Sequence, residues 1–470
     1  MIVHLAPIDI GIIAGYLVFT VALGMGLYHS RGADADDYLV AGRTVTLPAF
    51  VATLVSTWYG GILGVGEFSY SSGLASWVVF GLPYYVFALV FALFLAKPVR
   101  EAALYTIPDR LAEHYGQAPA VLGSLFTFIM VSPAPYVLML GVLAQLLTGW
   151  PLWMCVVGGT ILSTFYVANG GLRTDIRVNI FQFALMFLGF GIALPMAVAK
   201  FGGWSFLTSH LPHQHLTVFG GNSPQTMLVW FLIAMWTLVD PGFHQRCYAA
   251  KTPQVARRGI LVAICFWFVF DFLTTFTGLY ARAIMPGIAD PKMSYPLLAE
   301  RILPPVLKGL FYVGMLATVM STVLSYTFLG AVTIGRDVIW RLKGETGDEH
   351  LTAYTRIGLV ATGILAIALA LGIPSVVTLW FTLGTICVPG LLAPVLGSYL
   401  LKRKMTKPAC LMCMVGGFGT SLVWLLWGSL HKLQGYPDYW LKLEPMLPGL
   451  AVSFLILLVS PKKSLSEIPD

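Results

Sequence analysis

The sequence predicts an all-α integral membrane protein of about thirteen transmembrane helices, a five-plus-five inverted repeat with one extra N-terminal and two extra C-terminal helices. Three observations carry that expectation. Of 470 residues, 57% are hydrophobic and only 10% are charged, against roughly 25% charged in an ordinary soluble domain; the mean hydropathy is +0.81. Apolar runs of about 20 residues, the length that crosses a hydrocarbon core of ~30 Å, recur from end to end. Two of those runs, about 180 residues apart, are interrupted by helix-breaking residues at matching places in the two halves.

In order, the runs fall near 8–28, 46–70, 74–96, 119–148, 151–169, 178–200, 225–246, 258–284, 307–336, 353–372, 375–401, 408–430 and 443–460. The first lacks the basic flank and small-residue cleavage site of a signal peptide and reads as a retained span. The stretch 97–115 is too charged to cross and is expected to lie along the interface, as is 286–305 on the opposite side. The first repeat then covers 46–200 and the second 225–401, with 8–28 and 408–460 as accessory helices, all in one membrane domain spanning 1–470. Alternating the spans from an outside N-terminus places about 21 of the 28 Lys and Arg on one face, Arg43, Arg100, Arg110, Arg173 and Arg246 among them; the positive-inside rule makes that face, and the C-terminus, cytoplasmic. The net charge of +7 is therefore topological. The expected partners are a lipid bilayer, as a plasma membrane of the bacterial inner-membrane kind, and a small-molecule solute, with no nucleic acid. Cys410 and Cys413 have metal-like spacing but no second pair, and read as small buried residues. His210, His213 and His215, in the loop 201–224, have no acidic partner and are expected to be solvated outside.

The first break is Ser56-Thr57-Trp58-Tyr59-Gly60-Gly61. Paired glycines disfavour a helix interior, and neighbouring hydroxyls can satisfy carbonyls that the ladder drops. Irregular backbone at bilayer depth is tolerated only where it is buried in protein or lines a cavity. The second break is Trp236-Thr237-Leu238-Val239-Asp240-Pro241-Gly242, where Pro241 removes a donor and clashes with the preceding turn. A carboxylate at mid-membrane costs roughly 2.5–3.5 kcal/mol. Asp240 is therefore expected to face a cavity or a partner, or to cap the half-helix that follows. In the ninth run, Thr318, Ser321, Thr322 and Ser325 lie along one helical face. Alone they read as back-bonding and small-residue packing. Set against carbonyls freed near residues 56–59, they would supply the several oxygens a hard cation needs.

Further motifs occur in order over about residues 35–340: Tyr38-Leu39-Val40-Ala41-Gly42-Arg43, Tyr70 with Gly73, Tyr105-Thr106-Ile107-Pro108, Gly170-Gly171-Leu172, Gln245-Arg246 with Ala250-Lys251, and Met320-Ser321-Thr322 with Asp337. With them the chain resembles the solute:sodium symporter family and its LeuT-type inverted-repeat fold. The resemblance implies sodium-coupled import of a small organic solute by alternating access. It also implies a sodium ion, Na+, held by the backbone carbonyls of Ser56, Tyr59 and Thr318 and the hydroxyls of Ser321 and Thr322. One departure stands out. Family members carry Thr-Asp seven residues after Gly-Gly-Leu, where the aspartate serves a further cation site. Here that position is Asn179, and Asp175 lies one turn earlier, toward the cytoplasm. A second sodium is not expected, because Asn179 can relay hydrogen bonds but supplies no charge.

The solute is expected between the two breaks, against Thr57, Trp58, Gly61, Tyr84, Trp236 and Asp240, with Tyr85 as a further wall. The Thr-Trp-x-Gly-Gly run that starts at Thr57 resembles the high-affinity choline transporters, and a tryptophan face can hold an organic cation. The polar side chain that sugar carriers place five residues beyond the Trp58 position is Leu63 here. An amine, an amino acid and a carboxylate all remain open. Glu67, Asp337, Asp175 and Asn179 are candidates for coupling or gating, and Asp271 lies mid-span. Enzyme readings find no support: there is no Walker loop, no His-Glu-x-x-His and no nucleophile elbow. The alternatives are a proton-coupled carrier of the same fold, working through Asp240 or Glu67, and a transporter-like sensor, although no signalling domain follows the last run.

Overall fold

A computed structural model of the chain describes residues 3–26, 35–165, 167–345, 347, 349–373, 375–401, 404–433 and 436–463. Helices occupy each of the expected runs. Ten are long and apolar enough to cross a bilayer, and the bent pair Leu47–Trp58 and Ile62–Ser72 raises that to 11. The shorter apolar helices Leu152–Thr164 and Met446–Val459 lie at the two remaining positions. Strands among the described residues are two-residue pairs in loops, such as Lys432–Leu433 with Tyr436–Pro437.

The bundle wraps around the helix Leu307–Val332, which is buried along nearly all of its length. The helix Val167–Phe201 crosses it where Gly189 and Gly314 meet, and a Cβ on Gly314 would stand 2.9 Å from the Gly189 Cα. Such small-residue crossings let backbones approach closely when lipid, as apolar as any core, removes the hydrophobic drive to associate. At the N-terminal end of the central helix the buried carboxylate of Asp9 accepts from the backbone N–H groups of Val306 (2.8 Å) and Gly309 (3.0 Å). A negative charge there meets the unpaired donors and positive dipole end of a helix start. Val18, Ile364, Val423 and Leu458 are exposed on the outside of the bundle, where hydrocarbon rather than water must surround them.

Both expected breaks are present. The first helix of the bent pair ends at Trp58 and the second begins at Ile62, at 58° to it. The later span breaks twice: after Pro224–Ile233 comes a single turn, Trp236–Val239, and Asp240 is extended (φ −68°, ψ 120°) before Pro241–Ala249. Three expectations need correction. Ala96–Ala102 continues the preceding span through a π-helical turn, Phe91–Leu95. Only Ile107–Tyr115 is therefore a separate helix within 97–115, started by a Thr106–Asp109 capping box. His215 is not solvated: its ring is buried and its Nε2 lies 3.1 Å from the Tyr70 carbonyl, because the loop folds back onto the end of Ile62–Ser72. Arg246 is not a solvated flanking charge, since its side chain is 1% exposed inside the bundle.

Candidate ion and solute site

At the first break the last turn of Leu47–Trp58 loses its helical partners, and the central helix supplies replacements. The Ser321 hydroxyl donates to the Ser56 carbonyl at 2.8 Å and the Thr322 hydroxyl to the Thr57 carbonyl at 2.8 Å. The same hydroxyls lie 2.9 and 3.4 Å from the Thr318 carbonyl. Ser56, Thr318, Ser321 and Thr322, four of the five expected ligand residues, thus meet around one point. Tyr59 follows as the C-cap of the half-helix, and its phenol donates to the Trp267 carbonyl at 3.0 Å. The carbonyl that touches Thr322 belongs to Thr57. Contact here is tight: a Cβ on Gly60 would stand only 2.3 Å from the Thr322 side chain. A hydroxyl oxygen has two lone pairs besides its proton, so this group of carbonyls and hydroxyls suits a hard monovalent cation.

Beside it lies a cavity of about 80 Å³. All its walls except Gly61, Val65 and Ile233 are aromatic: Trp58, Tyr59, Phe80, Tyr84, Tyr136, Trp230, Trp236, Tyr326 and Trp380. Trp58, Gly61, Tyr84 and Trp236, expected against the solute, are four of these walls. Trp58 is itself held edge-on by Tyr84 and Phe243, with ring centroids 5.0 and 5.5 Å away. Tyr85 is turned elsewhere and donates to Asp271. Tyr326 was legible in principle, because it follows Thr322 by four residues and so shares its face. Trp380 and Tyr136 come from distant spans with no local signal.

Asp240 and Thr57 are not walls of this cavity. Asp240 accepts from the Phe243 N–H (2.9 Å), the Tyr326 hydroxyl (2.9 Å) and the Trp236 indole (3.2 Å). It caps the half-helix Pro241–Ala249, so its charge is spent on the fold. The Thr57 hydroxyl donates to the Thr53 carbonyl (2.5 Å) and accepts from Arg246 Nη2 (2.9 Å).

Arg246 reaches Asp175 (Oδ2, 3.3 Å) and Ser325 (Oγ, 3.1 Å) as well. Ser325 donates to the other Asp175 oxygen at 2.5 Å, and the Asn179 amide donates to Ser325 at 3.0 Å. Asp175, one turn before Asn179, and Asn179 itself are thus both turned to Ser325. Asp337 lies in a separate cluster, accepting from Thr106 (2.8 Å) and Arg336 (3.2 Å), while Asp109 takes Arg336 and Arg341 at 2.5 and 2.7 Å. Glu67 belongs to neither cluster, and its buried Oε2 has no hydrogen-bond partner among the described residues. Cys410 and Cys413 are buried and free. No group of three or more His, Cys, Asp or Glu among the described residues could hold a metal.

Comparison with known proteins places this geometry. The chain is 27% identical over 416 residues to high-affinity choline transporter 1 of Drosophila melanogaster, a match covering 79% of this chain and 63% of that protein, so it spans less than two thirds of that relative's length. It is 25% identical over 471 residues to the sodium/pantothenate symporter of Escherichia coli, covering 95% of both. Its fold superposes on the substrate-bound outward-open state of a Na+-coupled sialic acid symporter with a TM-score of 0.79 at 16% identity, over 98% of this chain and 100% of that one. That likeness establishes the LeuT-type inverted-repeat fold. The family profile of the sodium:solute symporters matches residues 38–417, and the chain belongs to that family of integral membrane transporters, not to the enzymes.

Proposed function

We propose that this chain is a sodium-coupled symporter that imports a small organic solute, with an amine the class best suited to its cavity. The observation that carries the reading is the meeting of the Ser321 and Thr322 hydroxyls with the Ser56 and Thr57 carbonyls, each at 2.8 Å, at the broken helix. A cation entering this group replaces hydroxyl–carbonyl hydrogen bonds with shared coordination and holds Leu47–Trp58 against Leu307–Val332. The Trp58 and Tyr59 walls are thereby fixed for the solute. Rocking of the broken helices against the rest of the bundle then opens ion and solute to the inside, with residues 46–200 and 225–401 as the two repeats. With the N-terminus outside and the C-terminus in the cytoplasm, each inward sodium gains about 2.3 kcal/mol per 100 mV of membrane potential.

An aromatic box attracts a cationic head through its ring quadrupoles, and the choline transporter among the relatives accords with that chemistry. A proton carrier working through Asp240 is less well supported, because three donors already occupy that carboxylate. The test is a thermal-shift screen of detergent-purified protein against quaternary amines, amino acids, carboxylates and sugars, in sodium or in potassium. One ligand should stabilise the protein only with sodium. The Ser321→Ala, Thr322→Ala double variant should fold and lose that dependence. Equal stabilisation in potassium, or a double variant that responds like the parent, would falsify the assignment.

A further inference from the structure

Two cavities on the outside of the bundle run together near the end of the helix Val167–Phe201. The first, about 570 Å³, is a groove between that helix, Trp204–His210 and Pro253–Ile284; Leu194, Val198, Phe272 and Phe276 are among its walls, and none of its walls is charged. The second, about 530 Å³, is walled by Lys200 and Arg301 and by no acid. Ala199 lines both. Lys200 Nζ lies 3.4 Å from the Arg301 carbonyl, so the two basic residues stand side by side. Both are exposed, and neither has an acidic partner among the described residues; Glu300, next to Arg301, is already taken by Lys308 at 3.0 Å. Each base alone ends its own helix, where unpaired carbonyls favour a cation. That does not account for their meeting at the mouth of a charge-free groove.

We propose that the joined cavities bind an anionic phospholipid, with its phosphate held by Lys200 and Arg301 and an acyl chain laid in the groove. Depth supports this pairing. The membrane-crossing stretch Gly170–Phe201 ends here, and Trp204, 52% exposed, follows Lys200 by four residues. Exposed tryptophan gathers at the headgroup level of a bilayer. The two bases therefore stand among lipid phosphates, while Leu194 and Val198, earlier on the same helix, lie deeper toward the hydrocarbon. A guanidinium presents paired donors that match phosphate oxygens, and an ammonium adds a point charge. Basic pockets between spanning helices are suited to acidic headgroups. The tail gains little by leaving other tails, since lipid is as apolar as the groove. Charge thus sets which lipid is preferred, and the groove sets where its tail lies. Bound this way, one lipid ties Val167–Phe201, Pro253–Ile284 and Ser294–Ile302 together.

The test follows thermal unfolding of the full chain in neutral detergent and potassium buffer. Neither sodium nor solute is added, so the result stands apart from the symport reading. Dioleoyl phosphatidylglycerol should raise the melting temperature more than dioleoyl phosphatidylcholine does, and inorganic phosphate should leave it unchanged. Lys200→Gln combined with Arg301→Gln should bring the phosphatidylglycerol shift down to the phosphatidylcholine one. Ala199→Trp fills the junction of the two cavities while keeping both charges, and should also reduce the phosphatidylglycerol shift. All three side chains are exposed, so these variants should melt like the parent when no lipid is added. Equal shifts from the two lipids, or a double variant that keeps the preference, would overturn the inference. So would an Ala199→Trp variant that responds like the parent, or inorganic phosphate that stabilises as much as phosphatidylglycerol, because either result would leave the acyl chain without a role.

Discussion

Gly60 has no side chain because Thr322 occupies the space one would need. Neither Gly60 nor Gly61 has a positive φ, so the pair is not there to permit an unusual backbone. Gly60 serves close approach, bringing the carbonyls of the broken turn onto the hydroxyls of the central helix, while Gly61 makes room for the Trp380 ring. Adding a methyl at Gly60 therefore forces the half-helix outward, and overpacking of this kind costs about 1–3 kcal/mol. Gly60→Ala should lower the melting temperature and erase stabilisation by sodium. Gly191→Ala, in the helix Val167–Phe201 with nothing within 4 Å of the new Cβ, should leave both unchanged or raise stability slightly. If the two variants behaved alike, the contact between the break and the central helix would not be what holds the ion. Sequence reasoning singled out the glycine pair but assigned it to helix breaking, because a contact between residues 60 and 322 has no signature at either position alone.

Among the helical elements, the half-helix Pro241–Ala249 shows how a buried charge can serve structure. Asp240 precedes Pro241 at the first helical position and accepts from the Phe243 N–H, the arrangement of an N-cap. It also satisfies Tyr326 and Trp236, whose donors would otherwise be buried without partners. Asp240→Ala loses a cap, worth about 0.5–2 kcal/mol, and strands two donors at about 1–3 kcal/mol each. Asp240→Asn keeps an acceptor facing Phe243 and should cost far less. Thermal unfolding in detergent distinguishes them. An alanine variant as stable as the parent would return Asp240 to the solute or the proton. The sequence alone left capping and cavity-lining open for this residue, and only the rotamer, turned to the backbone rather than the void, decides between them.

Across the whole molecule the two ends of the bundle are secured differently. One end is tied by charge, with Asp109 and Asp337 holding Arg336 and Thr106. The other end is tied by burial: the loop through His215 packs onto the end of Ile62–Ser72, with the Leu74 N–H donating to the His215 carbonyl at 2.9 Å. Burial pushes the His215 pKa below the ordinary histidine value. The hydrogen bond to the Tyr70 carbonyl opposes that shift and the nearby charge of Arg282 adds to it. The folded state therefore prefers the neutral ring, whose Nδ1 is buried without a partner and would carry an unsatisfied proton if charged. Stability is fully present above the unfolded value of about 6.5 and is lost as pH falls below it, because the unfolded chain then binds the extra proton. His215→Gln, with an amide able to donate to Tyr70, should flatten the acid-side fall in melting temperature. The same slope in parent and variant would remove His215 as its cause.

Class and membrane habit followed from the chain itself, because runs of apolar residues and breakers such as Pro241 act through local backbone physics wherever they occur. The hydroxyl face at Thr318, Ser321 and Thr322 was legible for the same reason, since helical spacing fixes which residues share a side. What only the tertiary structure decided was the use of charge. Arg246 counts as one more flanking arginine until Asp175, 71 positions away in sequence, is seen beside it, and Asn179 stands alone until its amide is seen turned to the same Ser325. The energy of a buried ion depends on what stands within a few ångströms, and that is set by how helices cross, not by the order of residues along any one of them.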